Sequence, residues 1–173
     1  MKKSLFSITV LLVALAGQSR AGTLSFDYSG SGVSTSITVT TGSSLTTFEG
    51  NSGYYITGVS GQRNGVAITS LVPASIDAAS GFSTSPDGRW WFDNVLLSSG
   101  GFDLYGLLFT TQDGGEYNFY KDNGQYIDGY FNKDKGGYDL VPVTMSVPDG
   151  GSSLAFVGSV LIGLVMLRRR FSK

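Results

Sequence analysis

Apolar positions follow two patterns in this chain: they run together near each end and alternate with polar ones between. Leu24, Phe26 and Tyr28 alternate with Ser25 and Asp27, Ile37 and Val39 with threonines, and Val66 and Ile68 with Ala67 and Thr69. Farther on, Phe102, Leu104, Gly106 and Leu108 mark one face of a stretch, and Tyr105, Leu107 and Phe109 mark the other. Period-two alternation broken by turn residues is the pattern of antiparallel strands, and no long helical period competes with it. The middle of the chain is therefore expected to be all-β, an antiparallel β-sandwich or a partly open barrel.

Turn chemistry places the hairpins. Asn64-Gly65 separates Tyr54–Arg63 from Val66–Leu71, and Asn123-Gly124 separates Glu116–Asp122 from Gln125–Phe131. Asn-Gly fills the two positions of a tight hairpin turn that need positive φ. Asp113-Gly114-Gly115 should turn a strand at Phe102–Thr111 into the one starting at Glu116, making a three-strand meander. In this register Lys121 faces Tyr126 and Phe119 faces Asp128, so Lys121 and Asp128 are expected as a diagonal surface ion pair. Trp90, Trp91 and Phe92 are consecutive, so Trp90 and Phe92 share one face and Trp91 takes the other. One of these rings is expected to be exposed or covered by a loop.

The ends differ. Lys2 and Lys3 precede the mostly apolar stretch Leu5–Ala16, and Ser19-Arg20-Ala21 puts small residues at −3 and −1 of a cut between Ala21 and Gly22. That is the layout of a cleaved signal peptide over 1–21. At the other end, Val147-Pro148-Asp149-Gly150-Gly151 is followed by the uncharged run 152–167 and a basic stop, 168–173, holding Arg168, Arg169 and Arg170. From Gly150 to Leu167 a helix would reach roughly 27 Å at about 1.5 Å per residue, the short end of what spans a bilayer. The arginines argue against a helix buried in a soluble core. They orient the segment with its basic end in the cytoplasm and residues 22–146 outside. Proline and glycines hold the motif off helix and sheet, as a protease cleft requires.

The motif, apolar helix and terminal arginine cluster together resemble the PEP-CTERM sorting signal of Gram-negative bacteria, with Val147–Gly151 similar to a variant of the usual Val-Pro-Glu-Pro. The resemblance implies an exosortase as partner, membrane attachment through the C-terminal helix before processing, and then release or transfer to the cell surface or extracellular space. It also implies a setting of exopolysaccharide or biofilm matrix. A second likeness lies in the middle. Thr57-Gly58-Val59-Ser60-Gly61-Gln62-Arg63-Asn64-Gly65, then Phe92-Asp93-Asn94-Val95-Leu96, then Gly115–Tyr120, resemble a module common in such proteins. That module transfers no catalytic residue.

Composition narrows the chemistry. Residues 22–146 carry five basic residues (Arg63, Arg89, Lys121, Lys133, Lys135) against twelve acidic ones. This balance argues against nucleic acid as a partner. There is no histidine and no cysteine, so disulfides and histidine-dependent catalysis are excluded, and zinc or copper sites of the usual kind are disfavoured. Paired carboxylates drawn from Asp103, Asp113, Glu116, Asp122, Asp128, Asp134 and Asp139 are the one catalytic device left. Most of them adjoin glycine or asparagine, as turn formers do. Asp128–Asp139 is the best calcium candidate, without a recognisable loop motif. Trp91, Tyr117, Tyr120, Tyr126 and Tyr130 could stack on sugar rings, or simply fill a core. The expectation is a non-enzymatic exported domain, structural or adhesive, with no catalytic, cofactor or metal site. The alternative is a carbohydrate-binding module or, less favoured, a glycoside hydrolase.

Overall fold

The computed structural model describes residues 22–48, 51–76 and 81–147. Among them there is no helix. In chain order the strands are β1 (Thr23–Gly30), β2 (Val33–Phe48), β3 (Asn51–Arg63), β4 (Val66–Leu71), β5 (Ser83–Thr84), β6 (Trp91–Phe92), β7 (Val95–Leu97), β8 (Leu107–Thr111), β9 (Glu116–Asp122), β10 (Gln125–Asn132) and β11 (Gly137–Ser146).

Eight of these close a barrel. β2, β1, β11, β10, β9, β8, β4 and β3 pair antiparallel in that order, and β3 pairs back onto β2. The domain is thus neither the sandwich nor the partly open barrel expected from sequence. Inward–outward alternation is the same in all three, so periodicity cannot separate them. What decides is one long-range pairing, β1 with β11, in register from Asp27↔Ser146 to Gly30↔Val143. Closure pairs the sheet edges at which a β-protein would otherwise aggregate. β7 adds to β3 at Gly53–Tyr55, and β5 and β6 form a separate two-stranded ribbon.

Both Asn-Gly hairpins form as the sequence predicts. Asn64 and Asn123 have φ of 49° and 47°, and the glycines after them are also positive. Asn64 does more than turn the chain: it accepts the Ser34 N–H at 2.7 Å and donates to Gly32 O at 3.0 Å, joining the β3–β4 turn to the β1–β2 turn. Gly61 lies opposite Ile37 with φ of 132°, where any Cβ would strike the β2 backbone. The Gly-x-Arg-Asn-Gly stretch therefore has a structural cause: a close approach, an inward-facing arginine and a turn.

The strand expected at Phe102–Thr111 begins only at Leu107. Asp103 accepts the N–H groups of Tyr105 (3.0 Å) and Gly106 (3.2 Å), which bends the chain into a turn. Gly106 takes a φ of 65°, and a Cβ there would strike the Phe119 carbonyl. Phe102 is thereby released to pack end-on into the barrel, 5.5 Å from the Phe26 ring and 5.3 Å from that of Phe119.

The interior is filled. Tyr28 and Phe119 stack at 4.2 Å with planes 7° apart, and Ile37, Val39, Ile56, Ile68, Leu107, Phe109 and Val143 close round them. Each such large side chain contributes about 1.5–3 kcal/mol by leaving water. One charged pair is built into this core. Asp128, 1% exposed, receives Arg63 Nη2 at 2.6 Å and Nε at 3.0–3.2 Å, and Tyr28 Oη donates to it at 2.8 Å. The expected register holds, with Tyr126 opposite Lys121 and Asp128 opposite Phe119. The expected Lys121–Asp128 surface pair does not form, because that face of β10 is the inside of the barrel. Lys121 lies instead over the Tyr126 ring.

Ala21, Pro148–Gly151, the apolar run 152–167 and Arg168–Arg170 lie outside the described residues. Gly22 and Val147 are the described residues next to the two predicted processing sites.

Candidate functional site: an aromatic groove outside the barrel

Between β4 and β8 the chain leaves the wall and lays a second layer over the outside of β8–β11. Outward-facing Gly129 leaves room for it: a Cβ there would lie 2.7 Å from the Trp90 ring. Trp90, Phe92, Val72 and Leu108 form a small outer core that Phe131 joins. Asn94 pins this layer. It has φ of 54° and is buried. Its Nδ2 donates to Val72 O (2.7 Å), its Oδ1 accepts Leu108 N–H (2.9 Å), its N–H reaches Gly106 O (2.9 Å) and its carbonyl accepts Ile56 N–H (2.8 Å). Every polar group of the residue is used, which is how a buried polar side chain becomes stabilising.

The layer holds Trp91 outward. It is 62% exposed, next to Trp90 at 6%, as strand alternation requires. Phe82 stands beside Trp91 at 5.2 Å and beside Tyr105 at 4.9 Å, bracing both rings. Trp91, Leu104, Tyr105, Tyr120, Tyr138 and Leu140 line an open groove of about 520 Å³. Tyr138 is fixed by donating its hydroxyl to Arg89 O at 2.7 Å and by edge contact with Trp90. Asn118 holds the floor, donating from Nδ2 to Trp91 O at 3.1 Å.

A smaller pocket of about 290 Å³ continues past Arg89 and Trp90, which line both. It is polar, with Asp87, Asp113 and Glu116 against Arg89 and Lys133. Asp87 takes Arg89 at 2.7 Å and also accepts from Ser85. Burial works to raise its carboxyl pKa, but the hydrogen bonds and Arg89 outweigh burial and hold it below the usual range. Glu116 goes the other way, raised by burial and then by the charge of Asp87. Three polar atoms in this region are buried without a hydrogen-bond partner: Trp90 Nε1, Asn118 Oδ1 and Glu116 Oε1.

The structure sorts the five aromatics singled out by sequence into two groups. Trp91 and Tyr120 line the groove. Tyr117, Tyr126 and Tyr130 face the barrel interior, where Arg63 lies 3.8 Å over the Tyr117 ring and Tyr130 stacks on it at 5.1 Å, and Tyr117 and Tyr130 also line the polar pocket. Sequence reading missed Leu104, Tyr105, Tyr138 and Leu140 as groove residues. Tyr138 and Leu140 did carry a signal: they alternate along β11 beside Gly129 and Phe131, on the outer face. The acidic candidates also scatter. Asp113 closes its turn by accepting from Thr111 and Gly115, Asp128 is inside, and Asp139 receives Lys135 and Asn132. Asp113 and Glu116 do line one pocket with Asp87, but among the described residues no three acidic side chains are placed to hold a metal ion. The closest acidic pair is one that sequence reading did not weigh, Asp93 with Asp103. Burial, then the Asp103 charge, pushes Asp93 up to about 8. Asp93 is fully buried and is no part of the groove.

No family model, curated protein or solved structure matches the chain.

Proposed function

We propose that this chain is an exported, non-enzymatic adhesive protein of a Gram-negative cell surface or extracellular matrix. It is anchored by its C-terminal helix until an exosortase acts at Val147–Gly151, and it serves an exopolysaccharide or biofilm setting. One observation carries the adhesive part: the barrel interior is solid, while the outer layer presents a braced, solvent-open aromatic groove. Large exposed apolar patches on monomeric domains mark interaction surfaces. Gly22 is already tied to Thr41 by backbone bonding, and β11 ends at Ser146, just before the motif.

Replacing Pro148 and Asp149 together by alanine is expected to block processing. The check is the mass of the mature protein in a strain with an active exosortase, with fractionation to follow the precursor in the membrane. An unchanged mature mass would remove the sorting part of the reading.

A further inference from the structure

We propose that the groove and the adjoining acidic pocket form one binding site for a chain of uncharged sugar rings. The proposal rests on the adhesive reading and names its ligand class.

Each other ligand class meets an obstacle on this surface. An extended peptide that adds to a sheet needs an open edge; the wall strands β8, β9, β10 and β11 are paired on both sides, and on β6 the Trp91 carbonyl is already taken by Asn118. An alkyl chain reaching the adjoining pocket would lie against Asp87, Asp113 and Glu116, whose polar groups it cannot solvate. A polyanion would meet Asp87, Asp113 and Glu116, with Arg89 already committed to Asp87 and only Lys133 left over. The domain as a whole repels it too, with twelve acidic residues against five basic ones in 22–146.

An uncharged pyranose suits every part. Its flat C–H face lies on an exposed, braced ring such as Trp91. Its hydroxyls both donate and accept, so they can serve the Asp87 and Glu116 carboxyls and the Lys133 ammonium that line the adjoining pocket. Groove and pocket adjoin at Arg89 and Trp90, which line both, so a polymer that reaches the two is favoured over a free monosaccharide.

The test is affinity electrophoresis of the full-length protein in mild detergent through gels containing neutral polysaccharides (a β-glucan, a galactomannan) or alginate. At least one neutral polymer is expected to retard the protein, with alginate inert at low salt. Trp91→Ala should weaken retardation about tenfold, the equivalent of 1.4 kcal/mol. Its melting temperature should barely move, because the ring is exposed. Glu116→Gln should weaken it less. Three results would each overturn the proposal: retardation by alginate alone, equal retardation of wild type and Trp91→Ala, or no retardation by any gel. A change of oligomeric state in Trp91→Ala, seen by sedimentation, would assign the groove to a second copy and overturn it as well. Because processing and surface delivery are read by mass and fractionation, a protein that is sorted correctly yet binds no neutral glycan defeats the ligand class and leaves the sorting reading standing.

Discussion

Tyr28 and Trp91 both sit on antiparallel strands, yet one is 2% exposed and the other 62%. Tyr28 lies inside the barrel, stacked on Phe119 and bonded to Asp128. Trp91 lies on the outer layer, braced by Phe82 and open to solvent. The interior uses rings to fill volume around one fully partnered ion pair. The outer layer uses rings to wall an opening and leaves polar atoms unpaired. Exposure separates the two uses of rings: those sealed from solvent stabilise the barrel, whereas the exposed and braced Trp91 leaves an apolar surface open.

The sharpest way to break that contrast is to unpair the interior. Asp128→Ala should destabilise the domain by about 3–5 kcal/mol, since it strands Arg63 in a low-dielectric core. Burial acts to lower the Arg63 pKa, but its bonds to Asp128 prevail and keep it raised. Chemical denaturation measures the loss. A change below about 1 kcal/mol, the range of an exposed pair, would mean that the pair is not sealed inside.

An outer-layer counterpart is Gly129→Val. The side chain would meet the Trp90 ring and should lower stability by about 1–3 kcal/mol, the usual effect of overpacking. It should also shift the tryptophan fluorescence as Trp90 moves. Loss of stability without a spectral change would place the strain in the barrel wall instead.

The third way concerns pH. Folded Asp93 is raised to about 8, whereas an unfolded aspartate titrates near 4. Between those values the folded state keeps a proton that the unfolded state has shed, so stability is greatest at the acid end and falls as pH rises through the window. The slope is at most about 1.4 kcal/mol per pH unit. The charged or titratable groups acting on this pair include Asp103 itself and the half-exposed Tyr55 phenol, which Asp93 helps to raise after burial. Asp113 and Asp139, both held low by hydrogen bonds, act only in more acid solution. Melting curves from pH 5 to 8 should decline for the wild type and flatten for Asp93→Asn. Parallel declines would clear this pair of the effect.

Much of the local structure was legible in the chain. Both Asn-Gly turns, the β9–β10 register and the opposite faces of Trp90 and Trp91 follow from φ preferences and strand alternation, which act within a few residues. The site was half legible: Trp91 and Tyr120 carried the right chemistry, but Tyr138 and Leu140 lie far along the chain from them. The misplacements share one cause. Tyr117, Tyr126, Tyr130 and Asp128 alternate as surface residues might, and only the curvature of a closed wall makes their face an inside.

By itself the sequence determined that these residues form short antiparallel strands, where most of the turns fall, and that disulfides and histidine chemistry are unavailable; residue types and near-neighbour spacing settle such matters. Tertiary structure alone decided that β1 meets β11, that Arg63 and Asp128, 65 positions apart, share one buried contact, and that the segment carrying Phe82, Trp91 and Tyr105 raises a groove on the outer wall. Those outcomes depend on pairings whose partners are distant in the chain, and no local preference encodes which distant strand will close the ring.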